Sequence, residues 1–228
     1  MSGILRCYII CEGQSEEKFV KDVLYGYFQS SNICLIPLMI PTSKGHKGGG
    51  LNYDRVSNFI KKFLNGDKEA FVTTFFDYYG LDKRFLEGIK PDTDIYEKIK
   101  NIQDKFDQKI KGCCDTERFF SHIQPHEFES LLFSDIGKII QADAEWKELS
   151  ICELENIINK FDNPELINNS KETSPSHRLE KIFHSPKYRK ILHGSNIAKE
   201  IGIDNIRSKC QHFNSWCVKL NSLRDFKK

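Results

Sequence analysis

The chain has 228 residues, with 34 Lys and Arg against 32 Asp and Glu and a net charge of +2, a balance that excludes a uniformly basic nucleic-acid coat. A hydrophobic share of 39% with 17 Phe supports one large domain or a domain with an extension, and no apolar run approaches the roughly 18 residues of a membrane span. The eight cysteines include no C-x-x-C spacing, which argues against structural zinc and suits free thiols in a reducing cytoplasm.

Met1-Ser2-Gly3 leads straight into a strand pattern, so no signal peptide is expected. Residues 5–11 are apolar apart from Arg6, as in a strand covered on both faces. The run stops at Glu12, Gly13 permits a sharp turn, and Ser15, Glu16 and Glu17 suit the first turn of a helix. That helix, over 16–28, carries Phe19, Val20, Val23, Leu24 and Tyr27 at a 3.6 period. A second strand covers 33–40, and 42–50 is a glycine-rich loop holding Lys44, His46 and Lys47. Residues 53–64 form a helix with Val56, Phe59, Ile60, Phe63 and Leu64 on one face and Gly66 past its end. Residues 70–76 are a strong strand that ends at Asp77. The order β-α-β-α-β predicts a parallel, three-layer α/β sheet.

A long polar helix follows over 94–110, with Gly112 to end it. Residues 119–123 are a fourth strand, broken by Gln124-Pro125, and Pro125 opens a helix that carries His126, Glu127 and Glu129. Beyond residue 135 the pattern is helical, over 149–161, 176–182, 195–201 and 206–223, with no strand signal. The chain therefore divides into an α/β core over 1–135 and a helical extension over 136–228, packed as a single compact unit.

Glu12 and Asp77 both stand at the carboxyl ends of predicted parallel strands, where ligands bind in open α/β sheets. Paired carboxylates there suit Mg²⁺ or Mn²⁺. Either acid alone is as readily a cap or a turn residue. In a helix, Glu127 and Glu129 point about 200° apart, so only one of them can face a metal. In an extended segment they share a face. Glu127 is the preferred one, and His126 is more readily a hydrogen-bonding histidine than a ligand. Lys44 and Lys47 suit a phosphate, and Gly48-Gly49-Gly50 would let backbone N–H groups approach it. Arg178, Lys181, Lys187, Arg189 and Lys190 make the C-terminal part locally basic. No G-x-x-x-x-G-K-[ST] loop and no G-x-S-x-G elbow is present, which argues against P-loop ATP binding and serine hydrolysis.

Three ordered segments resemble a prokaryotic Toprim-like family of unknown function. They are Cys11-Glu12-Gly13-Gln14-Ser15-Glu16, Phe76-Asp77-Tyr78-Tyr79-Gly80-Leu81 and the stretch from His126-Glu127-Phe128-Glu129 to Asp135. Segments 173–179 and 206–214 extend the resemblance over nearly the whole chain. The family is related to the nuclease half of overcoming-lysogenization-defect nucleases. The resemblance implies a Toprim-like fold and Mg²⁺- or Mn²⁺-dependent cleavage of nucleic acid. It implies Glu12, Asp77 and Glu127 as catalytic metal ligands, with Glu129 as a further one. Lys44, Lys47, His126 and Arg178 would then contact substrate. It also implies an AAA- or ABC-type ATPase partner in phage defence, with a second copy of the chain as another candidate partner. The family signature has an Asp-x-Asp after the later strand, and here Tyr79 replaces the second Asp. Two alternatives follow: a non-catalytic subunit of an ATPase complex, and a hydrolase of small phosphates. Trp146, Phe161, Phe183, Tyr188, Phe213 and Trp216 must be core or interface, and an apolar, partly basic docking patch is expected on the extension.

Overall fold

The computed structural model describes residues 4–41, 51–91, 93–146, 150–168 and 170–225. Lys44 and Lys47, with the rest of the expected loop over 42–50, lie outside them. Strand β1 (Leu5–Cys11) is flanked by β2 (Ile33–Met39) and β3 (Phe71–Asp77), with β4 (Phe119–Phe120) beyond β3. Every pairing is parallel. β5 (Ile123–Gln124) continues along β3 in the register of β4: Phe119 faces Val72, and Ile123 faces Phe76.

The strand expected over 119–123 is thus split at Ser121 and His122, because side chains replace the ladder there. The Thr74 hydroxyl donates to the His122 carbonyl at 2.8 Å and accepts its N–H at 2.9 Å. The Ser121 N–H donates to Asp107 instead.

Strand alternation sorts the core into two layers. Cys7, Ile9, Cys11, Phe71 and Phe75 join one apolar cluster, and Ile10, Val72 and Phe76 join the other. The second cluster is closed by α3 (Tyr53–Gly66) and α4 (Ile95–Cys114) through Val56, Ile60, Ile99 and Phe106. The first is closed by the helical run after β1: α1 (Gln14–Phe19), a π-helical stretch over Val20–Leu24, and α2 (Tyr25–Gln29). The C-terminal helices cover the same face. They are α5 (Ile136–Gln141), α6 (Ser150–Ile158), α7 (Pro175–Ile182), α8 (Ser195–Ile201), α9 (Ile203–Lys209) and α10 (Gln211–Ser222). The architecture is α/β, a parallel sheet flanked by helices, as a Toprim-like fold requires.

Side chains from Trp146, Leu154 and Leu179 through Phe213 to Leu223 enter the cluster that holds Phe19 and Phe75. Trp146 and Trp216 are only 6% and 4% exposed. Their indole N–H groups donate to the Pro186 carbonyl and the Thr73 hydroxyl, and Phe183, Tyr188 and Phe213 are buried with them. These aromatics are core. The large apolar side chains left exposed in this region include Ile191, Leu192 and Val218.

Two further boundaries differ from the sequence reading. Gly112 does not end α4; Asp115 does, at φ 46°, in the left-handed conformation of a helix stop. The helix expected over 206–223 breaks at Cys210 into α9 and α10. Buried Glu165 accepts the N–H groups of His212 at 2.8 Å and Phe213 at 2.9 Å. Those donors lie in the first turn of α10, so a tertiary carboxylate caps a helix start that has no local signal. Among the described residues no helix is long and apolar enough to cross a membrane, and all eight cysteines are free thiols.

Candidate active site

Sheet register brings the acids together. Cys11 pairs with Phe75, so Glu12 leaves β1 opposite Phe76, beside Asp77 at the end of β3. Gln124 pairs with Asp77, so the chain leaving β5 crosses the same edge. There His126 takes φ 61°, a left-handed turn uncommon outside glycine. Glu127 is extended, and a 3₁₀ helix spans Phe128–Ser134. The helix expected from Pro125 therefore starts later and is tighter. Asp77 anchors its start, since its Oδ1 accepts the Phe128 N–H at 2.8 Å.

This geometry changes the relation between Glu127 and Glu129. Glu127 precedes the helix, so the helical separation of the two side chains does not apply. Both reach the same cation. Lys190 Nζ, from a π-helical turn over Lys190–Gly194, lies 3.9 Å from Glu127 Oε1 and 3.6 Å from Glu129 Oε1. Glu127 Oε2 accepts the Ser176 N–H from α7 at 3.1 Å. Glu16, in the first turn of α1, is also buried and accepts the Gly13 N–H at 3.0 Å. Sequence reasoning took Glu16 for a first-turn acid and Lys190 for one surface cation among several. Nothing in the local pattern marks either for this site.

Five carboxylates thus crowd one edge of the sheet around one ammonium. Burial pushes the Glu12 carboxyl up to about 7, and the neighbouring charge of Glu16 adds to the rise. Burial raises Glu129 to about 7 against the attraction of Lys190. Asp77 is raised well above the usual carboxylate range by burial and by Glu16, Glu12, Glu129 and Glu127. Burial disfavours the Lys190 ammonium, but Glu129, Glu127, Asp77 and Glu16 together outweigh it and hold its pKa above the ordinary lysine value. Such mutual perturbation is typical of functional clusters.

The donor chemistry suits a hard divalent cation. All five groups offer carboxylate oxygens, the preference of Mg²⁺ and Mn²⁺. Two of those oxygens, Glu12 Oε2 and Glu129 Oε1, are buried with no hydrogen-bond partner. Among the described residues no three His, Cys, Asp or Glu side chains are arranged as a ready ligand set, so binding an ion would require rotation of these carboxylates. Gly80 leaves the space that Glu12 uses. A Cβ on Gly80 would stand 2.0 Å from Glu12 Oε2 and 2.4 Å from its Cδ. Its sequence signals are its place three residues past Asp77 and its membership of the segment Phe76-Asp77-Tyr78-Tyr79-Gly80-Leu81.

The remaining expected site residues are more peripheral. The His126 ring lies 5.6 Å from that of Tyr79, and its Nδ1 faces the Asn168 amide at 3.3 Å. Burial lowers its pKa to about 4, so it is neutral at pH 7. Arg178 is engaged elsewhere: its Nε donates to the Thr173 carbonyl at 2.6 Å and its guanidinium covers the Phe161 ring.

The model of the family described as a domain of unknown function, DUF4276, matches residues 11–221. The chain belongs to that family. Among solved structures, it is similar to the C-terminal region of the OLD protein of Xanthomonas campestris pv. campestris, in forms phased with platinum and with iodine. Identity is 15% in both; 91% of this chain is covered in each, with 91% and 93% of the other chain, at TM-scores of 0.39 and 0.40. Similarity at that level says nothing about chemistry. No curated protein sequence matches.

Proposed function

We propose that this protein is a divalent-metal-dependent nuclease. The observation that carries the reading is the meeting of Glu12, Asp77 and Glu127 from three neighbouring strand ends, with two buried carboxylate oxygens that accept no hydrogen bond. Glu12, Asp77 and Glu127 would hold Mg²⁺ or Mn²⁺, with Glu129 or Glu16 as a further ligand. A bound divalent ion supplies Lewis-acid charge at a phosphate. Glu12 and Glu129 are pushed to about 7 chiefly by burial, and a bound cation would draw both into the ionised form that ligates it. Lys190 offsets carboxylate charge that would otherwise repel a phosphodiester. Lys44 and Lys47 would serve the substrate backbone. The family resemblance supports an ATPase partner of AAA or ABC type and a role in phage defence.

Labelled single- and double-stranded DNA and RNA test this reading with Mn²⁺ or Mg²⁺, for the protein alone and with any AAA- or ABC-type ATPase that its operon encodes. Cleavage that stops in excess chelator is expected. Equal cleavage in chelator rejects the mechanism, and absence of an ATPase from material purified out of the native operon rejects the partner. Two observations favour a non-catalytic subunit as the second reading. Tyr79 replaces an expected acid, and the Lys190 ammonium already sits against Glu127 and Glu129. That reading predicts no cleavage in any of these mixtures.

Gly80→Ala separates site from scaffold. The clash falls on the far end of one side chain, so the melting temperature should change by only a few degrees, equivalent to about 1 kcal/mol. Glu12 would be displaced, and the rise in melting temperature caused by Mn²⁺ should shrink to near zero. A variant with the wild-type Mn²⁺ response would remove Glu12 from the ligand set.

A further inference from the structure

A second site lies away from the acid cluster, at the open β4 edge of the sheet between α4 and α10. It is a cavity of about 500 Å³ whose lining includes Tyr96, Gln103, Asp107, His122, His212 and Trp216. That volume is in the range of small-molecule sites. No residue of the acid cluster lines it.

Its wall is a column of flat rings. His122 stacks on Trp216 with centroids 4.6 Å apart at 15°, and on His212 at 5.0 Å and 24°. Phe75 backs the column at 5.5 Å from His122 and 8°. Tyr96 stands at the outer end, 6.1 Å from His212. Burial keeps both imidazoles neutral: His212 is lowered to about 4, and His122 is lowered well below the ordinary histidine value. The column therefore ends in neutral π faces that another planar ring can extend.

Beside the rings, α4 presents two acceptors one turn apart. The Gln103 amide N–H donates to the Ser121 carbonyl. That bond fixes the amide orientation and leaves Gln103 Oε1 buried with no partner. Asp107 Oδ1 accepts both the N–H and the hydroxyl of Ser121, at 2.8 and 2.6 Å, which leaves Oδ2 to meet a ligand. A buried acceptor without a donor costs about 1–3 kcal/mol, so a small turn of the Gln103 side chain that opens Oε1 to the cleft would be favoured by a ligand with adjacent N–H donors. Lys219, and Lys100 in its ion pair with Asp104, bring positive charge to the lining.

We propose that this cleft is a nucleobase site that takes guanine, stacked on the His212–Tyr96 end of the column with its N1–H and N2–H edge on Gln103 Oε1 and Asp107. Guanine alone among the common bases carries two adjacent donors on one edge. Adenine and cytosine place an acceptor beside their amino group, and uracil flanks its single N–H with carbonyls. Each would set an acceptor against Gln103 or Asp107, a mismatch that binding sites reject strongly. The base could belong to a free guanine nucleotide or to a single strand, with Lys100 and Lys219 near its phosphate in either case.

The test is run in chelator, so that it is independent of the metal site. Calorimetry on the wild-type protein uses GMP, AMP, CMP and UMP, and two hexanucleotides that differ by one guanine-to-adenine change. Emission of Trp216 is followed in Trp146→Phe, which leaves it the sole tryptophan. We expect GMP or the guanine-containing strand to bind with a Kd below about 1 mM and to change Trp216 emission. The other ligands should bind at least about tenfold more weakly, a difference of ~1.4 kcal/mol. Asp107→Asn keeps the Oδ1 acceptor but turns the ligand-facing atom into a donor, and should lower guanine affinity about tenfold with a melting temperature no lower than that of the wild type, since burial already raises the Asp107 carboxyl to about 6. Binding of GMP assigns the free nucleotide, and binding of the strand alone assigns a base within a polymer. No binding by either, equal binding of all bases, or undiminished binding by Asp107→Asn overturns the proposal.

Discussion

Asp77→Asn should cut Mn²⁺-dependent cleavage by roughly 10³-fold, the equivalent of about 4 kcal/mol of lost charge stabilisation at the reacting phosphate. The same change should raise thermal stability. Asp77 is held well above the usual carboxylate range by burial and by four neighbouring acids, so its charge is a burden to the folded protein. The asparagine keeps an oxygen for the Phe128 N–H that Asp77 Oδ1 accepts at 2.8 Å, and the start of the 3₁₀ helix survives. Few substitutions raise the melting temperature and abolish activity together, and that pairing marks a functional site. Cleavage by Asp77→Asn at the wild-type rate would remove Asp77 from the mechanism. A large fall in melting temperature would instead make it a structural anchor.

Glu129→Gln should stabilise the protein in a pH-dependent way. Glu129 is buried, and its pKa rises from 4.5 to about 7 on folding. The folded state therefore holds this proton more tightly than the unfolded chain does. The associated stability is fully present below about pH 4.5 and is lost as pH rises through about 7. Glutamine resembles the protonated acid. Its advantage should be below about 1 kcal/mol at pH 5 and reach about 3 kcal/mol at pH 8.5, or roughly 6–12 °C in melting temperature; the raised value already includes the attraction of Lys190. Wild-type curves alone would blur the effect. His122, His126 and His212 have lowered pKa values, so their contribution is present above the ordinary histidine value and is lost as pH falls. Subtracting the two proteins at each pH cancels those histidines. A difference that stays constant from pH 5 to 8.5 in chelator would show that Glu129 is ionised throughout.

The origin of each site residue explains how far sequence could reach. Glu12 and Asp77 end runs of apolar residues, and a buried strand must stop somewhere polar. Their positions at strand ends are therefore local facts. The pairing of β1 with β3 is not local, but the β-α-β-α-β order makes parallel neighbours the expected outcome. Glu127 was readable as an acid near a third strand end. Its extended backbone was one of two alternatives left open, because Pro125 signals a helix start while the choice rests on the Phe128 N–H being claimed by Asp77 from another strand.

Periodicity and punctuation in the sequence determined the strands, the helices on either side of them, the α/β class and two of the clustered acids. Each of those depends on side chains a few residues apart. Tertiary structure alone decided that Glu16 and Glu129 turn inward, that Lys190 reaches them from the C-terminal helices, and that Gly80 makes room for Glu12. It also broke the last long helix at Cys210, where Glu165 takes the backbone donors of α10. The physical reason is common to all of these. A charge, a cap or a close approach is settled by whichever group packs nearest, and here that group lies tens of residues or more away in the chain, or, for Glu16, is fixed by what the fold buries around it.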